Sequence, residues 1–282
     1  MLTQVKAYSS WRSAPVLPLD AGGRAEIDLL QIRNIDGLDP VKASVNTTPL
    51  GSVDGESYVG SNVPSRNIVL TIHPNPNWEN WTFEALRKLV YQYFMPKLPT
   101  RLVFYSDDLI PVEIWGVVES VGVNPFSKDQ EFLVSIICAD PYFKAIEPTV
   151  VTGVSVREGG LLRIVENMGN MDCGFKVRLT ALTPPNPTRI AIQIGDPIIA
   201  YLAVTAGVSD NVFFEMSSVP LRKYVQTVEI GTGVITNLLS NTTIQEGSAW
   251  PHLQPGENEF AVITDQGEQD WELSYFERFG GL

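Results

Sequence analysis

Cysteine and histidine are nearly absent from this chain, which holds two of each among its 282 residues. Two cysteines exclude a disulfide framework, and the separation of Cys138 from Cys173 fits no zinc-binding spacing. Such usage is compatible with assembly in a reducing cytoplasm. The histidines, His73 and His252, adjoin prolines and read as loop polar residues. No Gly-x-Ser-x-Gly elbow accompanies them, so a Ser-His-Asp hydrolase has no sequence support. Basic residues are also scarce: 20 Lys and Arg stand against 32 Asp and Glu, a net charge of −12. That balance argues against a basic nucleic-acid grip, because phosphate binding is driven by Lys and Arg. It serves solubility and does not forbid DNA passing nearby. Long apolar runs are missing as well. The longest, Ile198 to Val204, is too short to span a bilayer, so no membrane insertion is expected. Met1 to Tyr8 has no apolar core, so no signal peptide is expected and the sequons at Asn46 and Asn241 carry little meaning.

Turn formers are what the chain has in quantity. Twenty-two glycines and twenty prolines, with an apolar fraction of 44%, indicate a folded, mainly β protein with many short strands. Its length allows two domains, each with its own core. Ile68, Leu70 and Ile72 alternate with Asn67, Val69 and Thr71, the period of a half-buried strand. Upstream, residues 51–60 are rich in Gly, Ser and acids and read as a mobile loop or a hairpin arm.

One helix is predicted, over about residues 82–95. Phe83, Leu86, Leu89, Val90, Tyr93 and Phe94 form an apolar stripe, Thr82 is the N-cap candidate, and Pro96 ends the run. After it, Arg101 to Tyr105, Val112 to Val121 and Phe132 to Ala139 read as an antiparallel meander with the helix laid across one face. Cys138 shares a strand face with Phe132, Val134 and Ile136 and is expected to be buried. Cys173, beside Gly174, is expected to be less so. A boundary near Asp140 to Gly153 divides the chain into an N-terminal β domain, 1–147, and a second domain, 148–282. The latter is nearly all strand and turn, with Phe175, Val177 and Leu179, then Ile190, Ile192 and Ile194, then Trp271, Leu273 and Tyr275 facing inward. That spacing predicts a β-sandwich.

Candidate chemistry is thin. Asp107 and Asp108 are adjacent in a turn, and Glu257 and Glu259 flank Asn258 at a strand entrance, a chance-level pairing for a glycosidase. Gly22-Gly23-Arg24 and Gly231-Thr232-Gly233 lack the further glycines of a phosphate-cradling loop. Trp78, Trp81, Tyr91 and Tyr93 are available to stack on sugar or to anchor the helix to its sheet. A carbohydrate-binding sandwich, resting on aromatic loops around Trp250 and Trp81, is the alternative function. No residue is assigned a catalytic, cofactor-binding or metal-binding role.

Certain ordered motifs are more specific than this grammar. They are Arg66 to Ile72, the helix, and the strand ending Cys138-Ala139-Asp140-Pro141-Tyr142-Phe143. Glu166-Asn167-Met168-Gly169-Asn170 follows, then Thr236-Asn237-Leu238-Leu239, then Leu253-Gln254-Pro255-Gly256-Glu257-Asn258. The series closes with Tyr275-Phe276-Glu277-Arg278-Phe279-Gly280-Gly281-Leu282. In this order they resemble the distal tail protein (Dit) family of long, flexible-tailed bacteriophages. Pro64-Ser65 departs from the glycine more usual before the arginine, and the first 60 residues match weakly. The resemblance implies a galectin-like second domain and a non-enzymatic virion protein of the tail tip, assembled in the host cytoplasm. It further implies a homo-hexameric ring of N-terminal domains joining the tail tube to the baseplate hub or fibre. DNA would pass through its lumen without sequence-specific contact, and receptor-binding proteins or host glycans are the implied outer partners.

Overall fold

A computed structural model describes residues 2–9, 16–20, 29–51, 54–75, 81–107, 110–123, 130–179, 187–195, 198–205, 212–244, 250–266 and 268–282. The chain forms two compact units, Met1–Ile146 with Phe279–Leu282, and Glu147–Arg278. The last four residues thus group with the first unit, whereas the sequence places them in the second.

The first unit is built on β1 (Leu2–Ser9), β2 (Leu17–Asp20), β3 (Leu30–Asp36), β4 (Ser44–Pro49), β5 (Glu56–Asn62), β6 (Arg66–Pro74), β7 (Pro99–Ser106), β8 (Val112–Val123), β9 (Phe132–Cys138) and β10 (Phe143–Ala145). Its main sheet runs β10-β8-β7-β1-β2-β3-β6-β9, and β9 pairs back onto β8. The expected open sheet or sandwich is therefore a nearly closed barrel. β8 makes closure possible because it is long: Val112–Val117 pair with β7 and Val117–Val123 with β9. The thinnest seam is between β2 and β3, a parallel contact at Asp20 and Gln31. Alternation fills the interior with Val5, Ile68, Leu70, Phe104, Ile114, Val134 and Ile136. Each such side chain contributes about 1.5–3 kcal/mol by leaving water.

The helix α1 runs Phe83–Tyr93, with Phe94 as its C-cap, so it stops short of the expected Met95. The Thr82 side chain accepts from the Ala85 backbone N–H at 3.2 Å, a cap that contributes about 1 kcal/mol. Leu86, Val90 and Tyr93 are buried, and Phe83 stacks on Phe132 with ring centres 5.6 Å apart. β4 and β5 form a separate two-stranded hairpin, exposed at nearly every position. Of the two readings of residues 51–60, the hairpin arm is the one observed for 56–60, while residues 52–53 lie outside the described residues.

The second unit contains β11 (Thr149–Val154), β12 (Arg163–Asn167), β13 (Phe175–Leu179), β14 (Arg189–Ile194), β15 (Ala200–Thr205), β16 (Val212–Ser217), β17 (Tyr224–Glu229), β18 (Ile235–Asn237), β19 (Thr242–Ile244), β20 (Gly256–Thr264) and β21 (Asp270–Tyr275). They make a six-stranded sheet, β11-β21-β13-β16-β17-β18, and a five-stranded one, β12-β20-β14-β15-β19. One core takes side chains from both, including Phe175, Val177 and Trp271 from the first and Ile192, Leu202 and Phe260 from the second. Phe260 meets Phe175 and Trp271 edge-on, at 5.7 and 5.3 Å, so aromatic contacts span the layers in a sandwich-like arrangement.

Candidate functional site

The motifs that looked most specific turn out to be polar fasteners. Arg66 begins β6 on its inward face and is only 2% exposed. A buried guanidinium is costly unless its donors are met. Here Nε donates to the Pro141 carbonyl at 2.6 Å, and Nη1 to the carbonyls of Asp39 at 2.8 Å and Gly37. Nη2 donates to Gly280, and the guanidinium carbon lies 4.5 Å from the centre of the Phe143 ring. Burial lowers the Arg66 pKa, while Cys138, Asp39 and Tyr142 raise it and partly offset that effect. The Asp140-Pro141-Tyr142-Phe143 turn supplies both an acceptor carbonyl and an aromatic face.

In the second unit the fasteners are two asparagines and a tyrosine. Asn167 accepts from the Gly169 N–H at 3.0 Å and donates to the Met171 carbonyl at 3.1 Å, which shapes the turn after β12. Asn258 accepts from the Gln254 N–H at 2.8 Å and donates to the carbonyls of Gln254 and Gly256, fixing the Pro255-Gly256 turn. The Tyr275 hydroxyl donates to the Glu166 carbonyl at 2.6 Å, and burial pushes its pKa up to about 12. The inward parity of Tyr275 is legible from its alternation with Trp271 and Leu273, whereas Asn167 and Asn258 are polar residues on inward strand positions that the sequence motifs alone do not mark.

Both thiols are buried, Cys173 as fully as Cys138, which corrects the expectation that Cys173 is less enclosed. Its N–H and carbonyl both pair with Leu253, which packs that side of the core shut. Burial raises the Cys138 pKa to about 11 and the Cys173 pKa to about 12.

The candidate sugar-stacking residues are placed as follows. Trp250 is half-buried against the second core. Its Nε1 donates to the Ser217 carbonyl at 3.3 Å, and Lys223 Nζ lies 5.6 Å from its ring centre. Trp81 is half-buried at the helix entrance of the first unit. The two therefore belong to different units. Tyr93 is buried and Tyr91 packs against the first core, while Trp78 lies outside the described residues. Of the acid pairs, Glu257 is exposed and Glu259 half-buried on β20, and Asp108 lies outside the described residues. His252 stands 3.4 Å from Asp172. Among the described residues, no three His, Cys, Asp or Glu side chains cluster to hold a metal, and no helix is long and apolar enough to cross a membrane.

Exposed apolar residues mark a different kind of site. On the outside of the barrel, β8 presents Trp115 at 54% and Val117 at 45% exposure, and β9 presents Leu133. The hairpin arm exposes Val45, Tyr58 and Val59. Apolar groups displayed in this way suit protein–protein contact.

No family model matches the chain, and no curated protein matches it. Among solved structures it matches the crystal structure of the SPP1 Dit protein (gp 19.1), described as a paradigm of the hub adsorption apparatus in phages infecting Gram-positive bacteria. The TM-score is 0.64 at 14% identity, over 98% of this chain and 99% of that one. The chain has a Dit-like fold. A chain of the phage P2 baseplate in its activated conformation with Ca matches at TM-score 0.44 and 11% identity, over 98% of each chain. One from the same baseplate with Sr matches at 0.41 and 11%, over 96% and 97%.

Proposed function

We propose that this chain is a structural subunit of a bacteriophage tail tip, without catalytic activity. In this reading it is a distal tail protein whose first units assemble into a hexameric ring between the tail tube and the baseplate hub or fibre. The second unit corresponds to the galectin-like sandwich of that family. Assembly takes place in the host cytoplasm, and DNA passes through the lumen without base-specific contact. The observation that carries this reading is the Dit-like fold, which extends over 98% of this chain and 99% of the SPP1 protein.

Two features of the first unit support it physically. The hairpin β4–β5 is paired within itself, and its unpaired strand edges and exposed Tyr58 and Val59 are suited to adding onto a neighbouring copy. Trp115 and Val117 on the barrel offer a second, different surface. A contact between unlike surfaces is heterologous, and repeated by a closing rotation it makes a ring. A net charge of −12 suits a ring through which DNA must slide rather than stick.

Light scattering tests this directly. The expected mass is six times the chain's 31.1 kDa, alone or on addition of tail tube and hub proteins. Val59→Asp and Trp115→Asp should each shift the population toward monomer with an unchanged melting temperature. A protein that stays monomeric at high concentration and with those partners present would overturn the reading.

A further inference from the structure

Along one side of the second unit, β11 is the edge of the six-stranded sheet and β12 the edge of the five-stranded one. The two strands do not pair. Arg163 on β12 bridges them instead, donating from Nη1 to the Thr152 carbonyl on β11. Val156 and Arg163 both sit beside β20, Val156 through its N–H to the Val262 carbonyl and Arg163 opposite Phe260. Residues 157–162 arch out between them, and a pocket of about 130 Å³ lies at the foot of the arch. Its walls are apolar: Val154, Val156, Leu161, Phe260 and Val262, with the indole of Trp271. A cavity of about 150 Å³ with such a lining takes up benzene, so this pocket is the size of one ring or one branched aliphatic group.

Two donors belong to the same pocket. Trp271 is only 3% exposed, and its Nε1 has no hydrogen-bond acceptor among the described residues. A buried donor left unmet is costly. Arg163 is exposed, gives one N–H to Thr152, and has no carboxylate partner among the described residues. The donors are neighbours. Thr152 precedes Gly153, and a Cβ on Gly153 would stand 2.8 Å from Cε2 of Trp271, the ring carbon that carries Nε1. Only glycine at that position lets the indole pack so close to the strand. The pocket thus joins apolar walls to a guanidinium and an indole N–H on one side.

We infer that this pocket binds a compact apolar carboxylate, a single ring or branched chain bearing one acid group. The apolar body fills the space against Phe260, Val262 and Val156 and covers Leu161, which is 93% exposed without it. The carboxylate accepts from the Arg163 N–H groups that Thr152 leaves free, beside the Trp271 N–H, and such charge-assisted bonds are the strong ones. A neutral molecule of the same shape forgoes them, and an ammonium meets Arg163 as a like charge. A free acid and the last residue of a chain ending in Leu or Phe share this chemistry.

The test is saturation-transfer NMR on the full chain with benzoate and isovalerate, against benzamide and isovaleramide as neutral counterparts. N-acetyl-leucine serves as the probe of a chain terminus. At least one acid should bind, about tenfold or more tighter than its amide, the loss of a hydrogen bond to a charged group. Arg163→Ala should bring that acid down to the affinity of its amide. Leu161→Asp, which removes a wall and adds a like charge, should abolish binding. Both residues are exposed, so the melting temperature should stay unchanged. Arg189→Ala, elsewhere on the same unit, should leave binding intact. Binding of benzoate or isovalerate supports a free-acid ligand, and binding of N-acetyl-leucine alone supports a chain terminus. No transfer to any acid at tens of millimolar, equal binding of acid and amide, or binding that survives Arg163→Ala and Leu161→Asp would each overturn the inference.

Discussion

Arg66 donates from Nη2 to the carbonyl of Gly280 at 2.5 Å, joining residues 214 positions apart. The same guanidinium also serves the carbonyls of Gly37, Asp39 and Pro141, so one side chain gathers three distant segments of the first unit. Replacing it leaves those carbonyls buried without their donor. Arg66→Ala should destabilise the first unit by about 3–5 kcal/mol, and Arg66→Lys by somewhat less, since an ammonium cannot reproduce the planar fork. Urea unfolding followed by circular dichroism should show this loss.

Removing residues 279–282 deletes one of those acceptors and also the hydrogen bond from the Leu282 N–H to the Leu38 carbonyl. The truncated protein should lose about 1–3 kcal/mol in the first unit and nothing in the second. Hydrogen exchange resolved by segment would separate the two. Protection lost in β11–β21 instead would contradict the assignment.

Gly153 lies opposite Trp271 in the β11–β21 pair. A Cβ at Gly153 would stand 2.4 Å from Cζ2 of the Trp271 ring, too close for any real contact. Gly153→Ala should therefore displace the indole and cost about 1–3 kcal/mol. Melting temperature and near-ultraviolet circular dichroism report the two effects.

The thiols should be inert. Burial lifts Cys138 and Cys173 from an ordinary value of 9.0 to about 11 and about 12. A thiol-reactive dye at pH 8 should label neither in the native protein and both after unfolding. Because the folded pKa values are raised, the stability these groups contribute is complete below the unfolded value. It is lost as pH rises from about 9 toward 12. The melting temperature should fall across that alkaline window.

Asp265 responds to acid. Burial works to raise its pKa, but hydrogen bonds from the Thr188 side chain and from the Arg189 and Thr188 backbone outweigh it, and the net direction is down. A depressed carboxylate contributes stability above its unfolded pKa, about 3.9, and loses it as pH falls through the folded value. The second unit should weaken below about pH 4, and Asp265→Asn should show a smaller difference between pH 5 and pH 2.5 in thermal melts.

Strand parity made much of the fold legible. Phe175, Val177 and Leu179, and likewise Trp271, Leu273 and Tyr275, sit inside as their alternation predicts. Thr82 caps the helix as read. The barrel was not legible, because closure depends on β8 being long enough to pair with different partners along its length. The small buried cluster on the second face of the five-stranded sheet was hidden for a related reason. Ala191, Ala203 and Ala261 come from three strands separated in the chain and become a row only through cross-strand register.

By itself, then, the sequence determined local period, turns, one capped helix, an acidic balance of charge and the strand that carries Cys138, because each follows from composition or from neighbours a few residues apart. The tertiary structure decided which arginine is buried, where Cys173 lies, and how three alanines from separate strands come together under Val156, Leu162 and Tyr201. Those outcomes depend on carbonyls and side chains from segments far apart in the chain, and only the folded backbone brings them within hydrogen-bonding distance.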